Sequence, residues 1–171
     1  MLKSFSPKDA AEFAAAMTVA YCWAQRRARF YPHVTELTLD EFIESQQAEN
    51  KKQIGVLQDG QMCALITVWL MQDEIYDVHV IAPRKSKANI LLAALLQVRN
   101  SLFDSQKARI IKTSCGTYRG HLHKGMKRLL EACEMTPIGD AWRFAGHDSA
   151  TFQEYQITRE DYVKSKKRIH E

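Results

Sequence analysis

The stretch that decides the fold runs from Glu74 to Leu96 and reads EIYDVHVIAPRKSKANILLAALL. Its first part alternates β-branched and polar residues, which is typical of a β-strand, and Pro83 ends that strand. A loop rich in cations follows. Apolar residues then recur at the spacing of an amphipathic helix, predicted over residues 86–103. The stretch therefore predicts a strand, a basic loop and a long helix in direct succession.

The flanking residues supply the other elements of a sheet. Upstream, two predicted strands flank the dipeptide Asp59-Gly60, which is the strongest short signal for a β-hairpin. Two amphipathic helices precede them, one with Ser6 as its predicted N-cap and one with a capping box from Thr38 to Glu41. Downstream, a strand, a helix and two closing strands complete the order.

The expected architecture is a single α/β domain over the 171 residues, with residues 159–171 as a basic polar tail. A strand, a long helix and a second strand form a crossover, so part of the sheet must be parallel, whereas the hairpins are antiparallel. We therefore expect a mixed, mostly antiparallel sheet of six or seven strands, flanked by about four helices.

Composition excludes several classes of protein. Apolar residues make up 46% of the chain, and no apolar run approaches the roughly 20 residues of a membrane helix, so a cytoplasmic protein without membrane contact is expected. The four cysteines are scattered without paired spacing, and neither a disulfide framework nor a metal site is expected. The net charge of +4 leaves nucleic acid as the weakest alternative partner, one that predicts salt-dependent binding.

Two segments resemble motifs of the GNAT superfamily, the acyl-CoA-dependent N-acyltransferases. The stretch quoted above is similar to the family's strand, proline, basic glycine-rich loop and helix. Residues Arg128 to Met135 read RLLEACEM and resemble the Arg-Leu-Tyr-Glu-Lys-Leu-Gly-Phe segment that closes the family's fourth helix. The element order agrees over nearly the whole chain. The resemblance implies the GNAT fold, with acetyl-CoA or another acyl-CoA as co-substrate.

The resemblance also implies a coenzyme site. In the family, the fourth and fifth strands splay apart, strand backbone pairs with the pantetheine amides, and the pyrophosphate rests on N–H groups at the start of the long helix. Carried over to this chain, the backbone of Val80 and Ile81 would orient the thioester and pair with pantetheine. The residues that would cradle the phosphates are Arg84, Lys85, Ser86, Lys87, Ala88 and Asn89.

The basic loop departs from the family pattern. Lys87 and Asn89 stand where the family has glycines, which serve there because the backbone approaches the phosphates closely and adopts positive φ. Three cations in the loop would compensate for a poorer fit. The alternative is a basic helix start without a ligand, and the sequence leaves both interpretations open.

Acyl transfer needs an acid for the leaving thiolate and a base for the amine. The family's acid is a Tyr of the fourth helix, which matches Leu130 here, so Tyr118 and His123 are the candidate substitutes. Glu74 is the favoured base, because some family members place a Glu at this point of the fourth strand, six residues before Val80. Its carboxylate lies either near the centre of the sheet, where desolvation favours a base, or at the end of the strand in a turn, and the sequence leaves both positions open.

A second pair lies on the same strand. Asp77 and His79 share one face of it and form either another acid–base pair or a surface ion pair. Cys115 follows a strand and is interpreted as a buried thiol rather than a nucleophile.

Two functions remain open from the sequence. The first is an enzyme that transfers an acetyl group from acetyl-CoA to an unidentified primary amine by direct attack. The second is a catalytically degenerate GNAT-like protein that binds a protein partner or belongs to a larger assembly, which the missing glycines and the missing Tyr favour. Short GNAT-like proteins with eroded motifs also resemble some that bacteriophages encode.

Overall fold

The computed structural model describes residues 1–117, 124–145 and 148–168. The strands within these ranges are β1 (Leu2–Phe5), β2 (Lys51–Gln58), β3 (Gln61–Gln72), β4 (Ile75–Ile81), β5 (Ile110–Gly116), β6 (Thr136–Ala145) and β7 (Asp148–Thr158). The helices are α1 (Ala10–Gln25), α2 (Pro32–Thr35), α3 (Leu39–Ser45), α4 (Ala88–Asp104), α5 (Lys124–Ala132) and α6 (Arg159–Arg168). A 3₁₀ turn covers Ala28–Phe30.

One sheet joins all seven of these strands in the order β1-β2-β3-β4-β5-β7-β6. Its pairings are antiparallel except that of β4 with β5. The parallel pairing is short, because it extends only from Ile75 opposite Ile110 to Asp77 opposite Lys112. Beyond Asp77 the two described strands have no mutual pairing, and a gap opens between them. The mixed, mostly antiparallel sheet expected from the sequence is confirmed.

Two-residue turns connect β2, β3 and β4. Asp59 and Gly60 have φ of 51° and 78°, as the hairpin signal predicts. Asp73 and Glu74 form the next turn, with φ of 45° and 63°. The fourth strand therefore begins at Ile75, and Glu74 belongs to the turn rather than to the strand.

Of the two predicted helix N-caps, one is confirmed and the other is wrong. The capping box is confirmed, because the Thr38 hydroxyl accepts from the Glu41 N–H and the Glu41 carboxylate accepts from the Thr38 N–H. The prediction of Ser6 as the N-cap of α1 is wrong. Asp9 caps this helix, and its carboxylate accepts from the Glu12 N–H at 3.3 Å.

Helices cover both faces of the sheet, and side chains that alternate along a strand alternate between those faces. We call the two sides the α1 face and the α4 face. The core of the α1 face includes Phe13, Met17, Phe42, Leu65 and Ile81. The core of the α4 face includes Val78, Leu95, Phe103, Ile111 and Tyr162.

The described part of the expected basic tail is helix α6, which is docked on the α4 face. Tyr162 is 2% exposed, and its ring stacks on Phe103 with 4.5 Å between the ring centroids. The Tyr162 hydroxyl donates to the Asp104 carboxylate at 3.0 Å. Arg159 donates to the carbonyls of Ala108 and Phe103. The helix is therefore part of the folded domain.

Replacing Tyr162 by Ala is expected to lower the free energy of unfolding by about 3 kcal/mol, because loss of a buried aromatic ring leaves a cavity. The neighbouring Val163, which is 43% exposed, provides the control, and Val163→Ala should change the same quantity by less than about 0.5 kcal/mol. Urea denaturation followed by circular dichroism measures both. Equal small losses in the two variants would contradict the docking of α6.

Candidate active site

A cavity of about 460 Å³ lies where β4 and β5 separate. Its strand lining includes residues of β2, β3 and β7 and, at its centre, the last residues of β4 and the second half of β5, namely Val78, His79, Val80, Ile81, Thr113, Ser114, Cys115 and Gly116. Phe42 contributes to it from the α1 face, whereas Leu95 and Leu129 contribute from the α4 face. The cavity therefore reaches both faces of the sheet, and its volume is typical of small-molecule sites.

The splayed part of β4 has one free backbone edge. Residues Val78–Ile81 pair with β3 on one side, and β5 does not pair with them on the other. Strand β5 pairs with β7 over its full length, Ile110–Gly116. Backbone groups that face the gap are therefore available to an extended ligand, which would add to the edge as a further strand does.

The segment Arg27–Tyr31, which we call the wedge, lies at the wide end of the gap. The Tyr31 hydroxyl accepts from the Ala82 N–H at 3.4 Å, and Arg27 donates to the Ala82 carbonyl at 3.1 Å. On the opposite side, a Cβ on Gly116 would lie 2.9 Å from the Phe30 carbonyl oxygen. The wedge thus contacts the chain just after β4 and the end of β5, and it holds the two strands apart. Burial raises the pKa of Tyr31.

The N-terminus of α4 follows the splayed part of β4 after a short loop. Lys87 is the N-cap residue and makes no side-chain capping bond. The N–H groups of Lys87, Ala88 and Asn89 donate to no acceptor among the described residues, whereas the Ile90 N–H donates to the Lys87 carbonyl. Open donors at the start of a long helix favour an anion.

The loop before α4 forms without glycine. Lys87 has φ of −73° and ψ of 115°, and no residue between Ile75 and Gln106 has positive φ. The expectation that this position needs the conformational freedom of glycine is therefore wrong for this chain. Ser86 anchors the loop from within, because its hydroxyl donates to the Pro83 carbonyl at 2.9 Å.

Three exposed cations surround the open donors: Arg84, Lys85 and Lys87. The ion pairs among the described residues involve none of them. Positive charge and open N–H groups therefore coincide at the start of α4, as a phosphate site requires.

Of the catalytic residues predicted from the sequence, Glu74 alone lies in the described ranges, and it is not brought to the cavity. Glu74 is exposed in the β3–β4 turn, at the end of β4 opposite to the gap, and is not a lining residue. Of the two positions left open by the sequence, the turn is the observed one, because Asp73 and Glu74 form the turn before Ile75. Tyr118 and His123 lie outside the described residues. Leu130, at the position of the family's Tyr, is buried against the cavity.

The pair Asp77 and His79 lies on the α1 face, beside the gap. His79 lines the cavity, and its Nε2 lies 3.0 Å from Asp77 Oδ2. The side chain of His79 is only 24% exposed, and that of Asp77 is only 14% exposed. When Nε2–H donates to the carboxylate, Nδ1 carries the free lone pair. Between the two interpretations left open above, the geometry favours an acid–base pair over a surface ion pair.

These two residues belong to a polar patch that was not predicted from the sequence. We call it the polar floor, and it consists of Lys51, Gln53, Thr67, Trp69, Asp77 and His79. In register across β2, β3 and β4, Lys51 lies opposite Trp69 and Trp69 opposite Asp77. The signal in the sequence is the recurrence of polar residues at alternate positions of apolar strands.

The cavity also contains thiols that are poor nucleophiles. Burial raises the pKa of the Cys115 thiol to about 11, and burial raises that of Cys133 to about 11 as well. Both thiols are therefore protonated at neutral pH, whereas a nucleophile must be a thiolate. Cys115 is half-buried, and its protonated thiol agrees with the interpretation that it is not a nucleophile.

The described ranges also lack two other kinds of feature. They contain no group of three or more His, Cys, Asp and Glu side chains that could hold a metal ion. Their helices include none that is long and apolar enough to cross a membrane.

No family model and no curated protein matches the sequence, but solved structures match its fold. Spermidine N-acetyltransferase from Vibrio cholerae, in complex with CoA and spermine, has a TM-score of 0.73 at 9% identity, over 95% of this chain and 97% of that one. A GNAT-family acetyltransferase from Bacillus anthracis has a TM-score of 0.68 at 14% identity, over 93% and 94%. RimJ of Mycobacterium smegmatis, in complex with CoA-disulfide, has a TM-score of 0.70 at 14% identity, over 94% and 82%. The chain therefore has the fold of the GNAT acetyltransferases.

Proposed function

We propose that this protein is an N-acyltransferase that transfers an acetyl group from acetyl-CoA to a primary amine. The observation that carries the proposal is the gap between β4 and β5, where one cavity joins a free strand edge to a His–Asp pair. The similarity of the fold to acetyltransferases whose structures contain CoA or its disulfide supports it.

The features of the gap fit an acyl-CoA. The pantetheine arm carries two amides, which suit the free backbone edge at Val80 and Ile81. The pyrophosphate suits the start of α4, where three open N–H groups and three cations coincide. The thioester would then lie in the gap, between the α4 face and the polar floor.

The amine approaches from the α1 face, where His79 lines the cavity. Its nitrogen attacks the thioester carbonyl carbon, so that a C–N bond forms as the C–S bond breaks and the electrons of that bond leave on sulfur. Nδ1 of His79 takes the proton that the nitrogen loses. The Asp77 carboxylate holds the imidazole and offsets its positive charge. Water or Tyr118 protonates the thiolate, and the products are CoA and an amide.

No observation favours the catalytically degenerate alternative. The missing glycines do not prevent the loop from forming, since its φ angles are all negative. A base lines the cavity. Water can protonate the leaving thiolate in place of the family's Tyr, which is replaced by Leu130.

Isothermal titration should detect acetyl-CoA binding with a micromolar Kd, and Lys87→Glu should weaken it at least about tenfold, because an anion then faces the phosphates. Lys8→Glu is the matched control, since exposed Lys8 precedes α1 on the other face of the sheet. That variant should bind as the wild type does. Absence of heat at millimolar acetyl-CoA would contradict the proposal, and equal losses in both variants would contradict the phosphate site.

His79→Gln is expected to lower kcat about 100-fold, because the substitution keeps much of the side-chain volume but removes the base. Its Kd for acetyl-CoA should stay within about twofold. Glu74→Gln should leave both quantities unchanged, since Glu74 lies in the exposed turn. The release of free CoA thiol with an accepted amine measures kcat. Loss of turnover in Glu74→Gln alone would identify Glu74 as the base and refute the assignment of His79.

Direct attack needs no acyl-cysteine, so Cys115→Ser should retain turnover within about twofold. At pH 8, iodoacetamide should label exposed Cys22 first, because a thiol with a pKa of about 11 is only about one part in a thousand ionised. Labelling of Cys115 should accelerate about tenfold per pH unit until the pH approaches that pKa. Mass spectrometry of the digested protein follows each site. Rapid labelling of Cys115 at pH 8 would contradict its burial.

A further inference from the structure

The α1 side of the cavity is lined by basic side chains. Its ionisable lining residues there include Arg27, His33, Lys51 and His79. Neither Asp nor Glu occurs among the lining residues that the structure describes. Asp77, which lies beside the cavity, is paired with His79 through Oδ2, whereas its buried Oδ1 has no partner among the described residues. A polyamine carries at least one cationic nitrogen besides the reacting amine, and that cation would lie against these basic side chains. The charge of the site therefore favours an acceptor that carries an anionic group.

Two hydrogen-bond donors at one edge of the polar floor are available for such an anion. The Lys51 ammonium lies 4.9 Å from the centroid of the Trp69 ring and donates to the Ser45 carbonyl at 2.7 Å. It forms no ion pair with the described residues, and an ammonium has three donors. The Trp69 Nε1–H is buried and has no acceptor among the described residues. Both residues line the cavity.

Because these two donors are partly or fully buried, binding of an anion to them is favourable. Desolvation lowers the pKa of Lys51, and an anionic partner would recover the lost stabilisation of its charge. A buried N–H without an acceptor costs free energy, which a carboxylate oxygen at Trp69 would offset.

The register fixes where the anion lies relative to the base. Lys51, Trp69 and Asp77 are direct neighbours across three strands, and adjacent strands are about 4.8 Å apart. Thr67, opposite His79, lies two residues before Trp69 on the same face. The register therefore places the Cα atoms of Trp69 and Lys51 about 8 Å and about 12 Å from that of His79, a separation that their side chains and a small bifunctional molecule together span.

We propose that the acceptor is an amino acid, whose amine meets His79 while its carboxylate binds Lys51 and Trp69. The inference rests on the proposed function, because it names the acceptor class of the same site. One neutral donor and one cation suit a carboxylate of single charge. Spermine, which the Vibrio cholerae enzyme binds, carries no such group.

The test compares amino acids with their own carboxamides, which differ only in the anionic group. With acetyl-CoA as the donor, L-leucine, L-phenylalanine and L-methionine should each have kcat/KM at least about tenfold above their amides. Spermidine should react no better than the amides. Lys51→Met should raise KM for the amino acids about tenfold and leave kcat within about twofold, because the positioning residue acts on binding. The same variant should leave turnover of the amides unchanged.

Lys52→Met is the matched control, because exposed Lys52 points to the α4 face opposite Val68. It should behave as the wild type with every probe. Equal or better turnover of the amides or of spermidine would overturn the inference while leaving the acetyltransferase itself intact. If no probe reacts, titration of L-leucine and leucinamide into the protein with desulfo-CoA decides. Equal affinities, or no binding of either probe, would overturn the inference, and failure to bind acetyl-CoA would overturn the proposed function.

Discussion

The short parallel pairing of β4 with β5 is the constraint on which the rest of the molecule depends. Hydrogen bonds join the two strands only as far as Asp77 and Lys112. Beyond that point the wedge contacts Ala82 on one side and Gly116 on the other. Backbone groups in the gap must still find partners. A site for an extended ligand follows from this geometry and not from any single side chain.

The gap joins two regions that contain different kinds of chemical group. On its α4 side, the helix start carries exposed cations and N–H groups that have no acceptor among the described residues, and such groups suit phosphates. On its α1 side, the polar floor interrupts an otherwise apolar sheet. Buried Gln53 and Thr67 satisfy each other there, whereas Trp69 Nε1 and Asp77 Oδ1 have no partner among the described residues. Unsatisfied buried atoms cost stability, and their concentration beside the gap is typical of a functional site.

The departures from the family motifs have physical explanations in this fold. Glycine is dispensable before α4, because Lys87 adopts an extended conformation at φ of −73°. Its side chain adds a positive charge at the place where the family has none. In the proposed mechanism the base is His79 rather than Glu74, with Asp77 beside its imidazole. Positive charge and open N–H groups occur together at the start of α4 with residue types that differ from those of the family.

Signals between neighbours along the chain correctly predicted the hairpin at Asp59-Gly60, the capping box at Thr38, the long helix and hence the mixed sheet. Turn chemistry and hydrophobic period depend only on adjacent residues, so they are legible before folding. Such signals left the position of Glu74 open, and the two-residue turn at Asp73 and Glu74 removes its carboxylate from the sheet. They also missed the polar floor, because only the register of β2, β3 and β4 places Lys51 and His79 in one patch on the same face of the sheet. The gap itself depends on the contact of Phe30 with Gly116, which long-range packing creates and no local pattern encodes.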